Sequence, residues 1–99
     1  MGRIQKTSVY DKWIGKLNDA RALALIDMRI KRLAEGNPGH CRFLGKITEM
    51  IIDYGPEYRV YYTGKGKEII VLLCGGDKST QQSDIDAARK LAAQYGQGE

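Results

Sequence analysis

The sequence predicts an α+β domain, and three observations carry that prediction. Apolar residues recur at helical spacing between Val9 and Leu33, then give way to alternating and β-branched runs between Ile47 and Cys74, and a second helical stripe follows the polar junction after Gly76. Ninety-nine residues suit one domain, 1–99. A chain of this size buries about two-thirds of its unfolded surface, so its strongly apolar segments are largely committed to folding.

Arg3-Ile4-Gln5-Lys6-Thr7 alternates weakly and reads as a short strand. Thr7 or Ser8 can cap the helix that follows, in which Val9, Trp13, Ile14 and Leu17 share a stripe. Asn18-Asp19 ends that helix and starts another. Leu23, Ile26, Ile30 and Leu33 lie on one face of it, with Arg21, Arg29, Lys31 and Arg32 largely on the others, and the two helices are expected to form an antiparallel hairpin. Gly36-Asn37-Pro38-Gly39 stops the second helix, because glycine supplies a positive-φ cap and proline cannot continue the helix. Strands are expected at Ile47–Ile52, Tyr58–Thr63 and Ile69–Cys74, separated by a Gly55-Pro56 turn and a Gly64-Lys65-Gly66-Lys67 loop. The unbroken apolar run Ile69–Cys74 predicts a strand covered on both faces. Ser79-Thr80-Gln81-Gln82 matches a capping box with Ser79 as cap, opening a helix that buries Ile85, Ala88, Leu91 and Tyr95 and frays at Gly96. The expected order is β-α-α-β-β-β-α with a mostly antiparallel meander.

Charge is unevenly distributed. Residues 1–46 carry ten basic and four acidic side chains, and residues 47–99 carry six basic and eight acidic. A basic half favours an anionic partner, either nucleic acid or an acidic protein segment. Cys41 and Cys74 are the only cysteines and form no C-x-x-C, which argues against a disulfide scaffold and a structural zinc site. The start lacks a charged n-region followed by an apolar h-region, and no apolar run is long enough to span a bilayer. A cytoplasmic protein without a membrane partner is expected.

Four places carry candidate chemistry. Alternation puts Arg59, Tyr61 and Thr63 on one face of their strand, where arginine offers charge to a phosphate and tyrosine a ring for stacking. The same pattern also fits a cross-strand pair between Arg59 and Glu49, with the tyrosines packed as core. Gly75–Thr80 is not a P-loop, since Asp77 and Leu72 stand where that motif needs glycine. A helix N-terminus carrying Lys78 and Ser79 can nonetheless receive an anion, or can be an ordinary capped turn. His40, the single histidine, lies in a glycine-rich loop and can serve as proton donor or acceptor, or simply be solvated. Arg42 and Lys46 can neutralise phosphates or protect a strand edge.

Several stretches occur together and in order: Leu17–Ala22, Arg29–Leu33, Gly36–Gly39, Tyr54–Tyr62 and Leu72–Gln81. They closely resemble the addiction-module killer proteins, the phage-related HigB-like branch of the RelE/ParE toxin superfamily, over about Thr7 to Tyr95. The resemblance implies a RelE-like fold and the toxin of a type II toxin–antitoxin system, silenced by a neighbouring helix-turn-helix antitoxin. Many such toxins are endoribonucleases that need no metal or other cofactor and cut mRNA on the ribosome, a ribose 2′-hydroxyl attacking the adjacent phosphate. It assigns charge stabilisation to Arg59, in the family's Tyr-Arg strand, and then to Lys78; His40 is a third catalytic candidate. Arg42, Lys46, Tyr61 and Ser79 are candidates for binding RNA.

The sequence departs from the family pattern at two places. Related killers usually read Glu-Leu-Arg-Ile on the first meander strand, where this chain has Glu49-Met50-Ile51-Ile52. They commonly carry Asp-x-Lys where this chain has His40-Cys41-Arg42. Two alternatives stand beside the nuclease reading, and loss of the basic side chain at position 51 favours the first. One is a toxin that inhibits a protein target such as DNA gyrase; the other is a catalytically inactive, antitoxin-binding relative.

Overall fold

The computed structural model describes residues 2–95. Strand β1 (Arg3–Lys6) leads into helices α1 (Ser8–Lys16) and α2 (Ala20–Ala34). Four strands follow: β2 (Cys41–Leu44), β3 (Ile47–Ile52), β4 (Tyr58–Lys65) and β5 (Ile69–Gly76). A 3₁₀ turn (Lys78–Thr80) then precedes α3 (Gln81–Tyr95). The fold is α+β, with one five-stranded sheet ordered β1-β5-β4-β3-β2. Strands β2 to β5 pair antiparallel in sequence order, and β1 returns to lie parallel to β5.

Helices cover both faces of the sheet. On one, Tyr10 of α1 and Ile26, Ile30 and Leu33 of α2 pack on Met50, Ile52, Val60 and Leu72. On the other, Ile85, Ala88 and Ala92 of α3 pack on Ile47, Tyr61, Val71, Leu73 and Cys74. Alternation along β3 and β4 produces this division. On β5 it is interrupted by a bulge: Tyr61 pairs with Cys74 but Tyr62 with Leu72, leaving Leu73 as the extra residue. The bulge explains why the adjacent residues Leu73 and Cys74 enter the same core. Among the described residues, no helix is long and apolar enough to cross a membrane.

Four local expectations are corrected. Cys41–Leu44 forms an additional strand at the sheet edge, paired to β3 from Cys41↔Met50 to Leu44↔Ile47. Helix α1 turns Tyr10, not Val9, toward the sheet: Tyr10 is 2% exposed and Val9 43%. Its cap sets that phase, since Thr7 Oγ1 accepts from the Tyr10 N–H and donates to the Leu73 carbonyl. The last helix is preceded by a turn capped by Asp77, whose carboxylate accepts from the Ser79 N–H; Ser79 is not the cap. In α3, Ala92 takes a buried position, Leu91 is half-buried and Tyr95 is exposed, while the fraying expected at Gly96 lies outside the described residues.

Gly75 and Gly76 belong to β5 rather than to a loop. A Cβ on Gly75 would run into the Trp13 ring, and one on Gly76 into the Asp84 carboxylate and Thr80 hydroxyl. These glycines therefore permit close packing of α1 and α3 against the end of β5.

Candidate functional site

One row of residues crosses the sheet where β3 ends and β4 begins. The His40 carbonyl accepts from the Ile51 N–H at 3.0 Å, Ile51 pairs with Arg59, and Arg59 pairs with Gly76. Paired residues share a face, so Ile51 and Arg59 lie on the side covered by α3. Half-buried Ile51 stands between Arg59 and the His40 segment.

Beneath this row lies the carboxylate of Glu49, only 1% exposed. The Tyr61 hydroxyl and Gln81 Nε2 each donate to its Oε2 at 2.9 Å, and Arg42 Nε donates to Oε1 at 3.1 Å. Arg59 Nε stands 3.4 Å from Oε2. Four side chains from β2, β4 and the start of α3 thus converge on one carboxylate, as a buried charge requires. Burial, and then the bond to Glu49, raise the Tyr61 hydroxyl far above its ordinary range, so it remains a donor. Tyr61 was expected as a stacking ring; its complete burial makes it part of the site's wall instead.

Arg59 realises the cross-strand pair with Glu49, yet its hydrogen-bonding capacity is not exhausted. Its side chain is 8% exposed, and Nη2 donates to Glu57 Oε1 at 3.3 Å. Its Nε and Nη1 are both buried and have no hydrogen-bond acceptor among the described residues, the 3.4 Å approach to Glu49 being an ion pair only. A donor left in that condition ordinarily costs about 1–3 kcal/mol. The opposing Glu57 carries a φ of 61°, the only positive φ on a non-glycine residue described. It closes the β3–β4 turn, which the Lys78 N–H joins by donating to the Pro56 carbonyl at 3.3 Å. Exposed Lys78 is thereby fixed beside this turn.

The junction before α3 already contains a carboxylate. Asp77 accepts from both the N–H and the hydroxyl of Ser79, and Thr80 completes the capping box. The Ser79 hydroxyl bond is the main reason the Asp77 carboxyl is held below its usual range. The expectation that Ser79 would present an open anion cradle is therefore corrected: the chain's own carboxylate occupies it. Asp84 lies next to it, accepting from the Thr80 hydroxyl, and its carboxyl is raised by desolvation.

His40 Nδ1 is 2.9 Å from Asp53 Oδ2 on an exposed part of the same end. Its loop is clamped by Arg29, which donates to the carbonyls of Ile51, Pro38 and His40 at 2.7, 3.2 and 2.8 Å. The backbone of His40 is two strand spacings from that of Arg59, about 10 Å, with Ile51 between. Lys46 is not brought to this place. It sits in the β2–β3 turn, five residues from Ile51 and about 15 Å up the strand.

The structure thus gathers Arg42, Arg59, Lys78 and His40 at one end of the sheet and interleaves them with Glu49, Glu57, Asp53 and Asp77. Gln81 and Glu57 were missed by sequence reasoning, and Glu49 entered it only as a pairing partner. The usable signal for Glu49 was an acidic residue inside an apolar strand, Ile47–Ile52.

A family model described as "Phage derived protein Gp49-like (DUF891)" matches residues 12–94. The chain belongs to this family. Gp49-like proteins are associated with toxin–antitoxin systems. An uncharacterised protein of Haemophilus influenzae (strain ATCC 51907 / DSM 11121 / KW20 / Rd) is 45% identical over 95 residues, covering 95% of this chain and 96% of its own length. No solved structure gives a significant match.

Proposed function

We propose that this Gp49-like chain acts as one RelE-like domain and is the toxin of a type II toxin–antitoxin pair, cleaving mRNA on the ribosome in the cytoplasm. The observation that carries the reading is Arg59: a guanidinium 8% exposed at one end of the sheet, flanked by Glu49 and Glu57, with Nε and Nη1 lacking an acceptor. A fixed donor of this kind suits the extra negative charge on a phosphate under attack by a 2′-hydroxyl, because no reorganisation is needed as the charge develops. Arg42 and Lys78 add positive charge around it and guide the RNA backbone. His40, oriented by Asp53, is the group suited to proton transfer at the edge of the site. A helix-turn-helix antitoxin is the partner that silences it.

Induction of the protein alone should stop translation and produce new mRNA 5′ ends inside coding regions; co-expression of the adjacent gene's product should suppress both. Arg59→Lys keeps a charge for Glu49 but removes the planar fork. It should slow cleavage about a hundredfold or more while far-UV circular dichroism reports a native fold. Growth arrest with intact mRNA would overturn the nuclease assignment.

A further inference from the structure

Arg59 faces more acid than a free phosphate-binding arginine should. Glu49 occupies its Nε side from within the protein, whereas Glu57 meets Nη2 from the surface. The two acids differ in what holds them. Glu49 is 1% exposed and also bonded to Arg42, Tyr61 and Gln81. Glu57 has a side chain 44% exposed and a 3.3 Å contact to Arg59, and its backbone occupies the left-handed region that favours glycine. Glu49 is a permanent counter-ion; Glu57 is a removable one.

We propose that Glu57 is the resting occupant of an oxyanion site on the Nη1–Nη2 edge of Arg59, and that a phosphate of the RNA backbone takes its place. A carboxylate and a phosphate each present two oxygens to that edge, so one can substitute for the other. Glu57 satisfies only Nη2, leaving Nη1 buried without an acceptor. A bidentate phosphate oxyanion would satisfy both, and that difference drives the exchange. Asp77, whose carboxyl also feels the charge of Arg59, is committed to Ser79 and does not swing into the site. The closed form is charge-balanced, which keeps Arg59 from engaging stray anions until an RNA strand is seated across Arg42 and Lys78. This rests on the reading of Arg59 as the phosphate-facing group.

The test follows the Arg59 Nε–Hε resonance by NMR, identified by its absence in Arg59→Lys, during titration with inorganic phosphate and with a 2′-O-methyl hexaribonucleotide that cannot be cleaved. Glu57→Gln should bind both probes about tenfold more tightly, the size expected when a competing charged hydrogen bond is removed. Glu57→Gly, which also relieves the backbone, should do so at least as strongly. Glu35→Gln, at the far edge of the sheet beside Gly2 and Arg3, controls for net charge and should change affinity less than twofold. Equal gains in Glu57→Gln and Glu35→Gln, or no response of the Arg59 resonance, would overturn the proposal even if the wild type cleaves mRNA. A tenfold gain at Arg59 in a protein that leaves mRNA intact would support the oxyanion site while refuting the nuclease reading.

Discussion

Glu49 and Arg59 meet across neighbouring strands, Oε2 to Nε at 3.4 Å, with side chains 1% and 8% exposed. Removing one member leaves the other charged and buried, which costs about 3–5 kcal/mol, whereas replacing both by apolar side chains of similar size is far less damaging. In urea melts, Glu49→Ala should therefore lose several kcal/mol. The double variant Glu49→Met/Arg59→Met should lose clearly less than the sum of its single changes. Strict additivity would show that the two side chains do not act as a pair.

Two glycines separate packing from propensity. A Cβ at Gly75 would overlap the Trp13 ring, while one at Gly15 in α1 meets nothing within 4 Å. Gly75→Ala should destabilise by about 1–3 kcal/mol or more through overpacking. Gly15→Ala should stabilise by about 0.5–1 kcal/mol, since a helical glycine gives up more chain entropy than alanine. Thermal melts of the two variants should move in opposite directions.

Asp77 makes the junction before α3 sensitive to acid. Its carboxyl lies below the ordinary aspartate range, chiefly through the Ser79 hydroxyl, so its ionised form is favoured in the folded state. Its contribution is present above that range and fades as pH falls through the depressed folded value. Asp77→Ala should cost about 1 kcal/mol at pH 7, as loss of a cap does. The gap between variant and wild type should narrow below about pH 4. Asp84, displaced upward by desolvation, contributes with the opposite sign, so the comparison must be made between the two proteins rather than within one.

The two cysteines should differ in reactivity. Burial pushes the Cys74 thiol up to about 12, whereas Cys41 on the edge strand is only half-buried. Thiolate is the reactive form. A disulfide reagent at neutral pH should label one thiol per native chain, identified as Cys41 by peptide mapping. Both should react after denaturation, and rapid native labelling of Cys74 would contradict the buried position.

Periodicity made much of the fold legible. The three long strands, the buried stripe of α2 and the two-sided covering of β5 follow from side-chain pattern alone. Cys41–Leu44 was not legible because an edge strand of four residues needs little apolar alternation, and its Phe43 is 79% exposed. The phase of α1 was set by a tertiary bond from Thr7 to Leu73, which no local stripe reports. At the site, alternation placed Arg59 on one strand face with Tyr61 and Thr63 and offered Glu49 as its partner. The convergence of Arg42, Gln81 and Tyr61 on that carboxylate depends on strand register and on where α3 crosses, both long-range properties. Lys46 looked close to Arg42 in sequence, but the hairpin between them carries it to the other end of the strands.

The parallel seam between β1 and β5 has a consequence for how the chain comes into being. Arg3 pairs with Ile69, and the cap of α1 is completed by carbonyls of Leu72 and Leu73. Strand β1 therefore leaves the ribosome well before the strand it pairs with, and must wait for it. At ordinary synthesis speeds that interval is on the order of 3–12 s, during which β1 has no neighbour and α1 no anchor. Such a long-range pairing also closes slowly, because its loop entropy must be overcome before the contacts form. This domain cannot be completed until the ribosome has made β5.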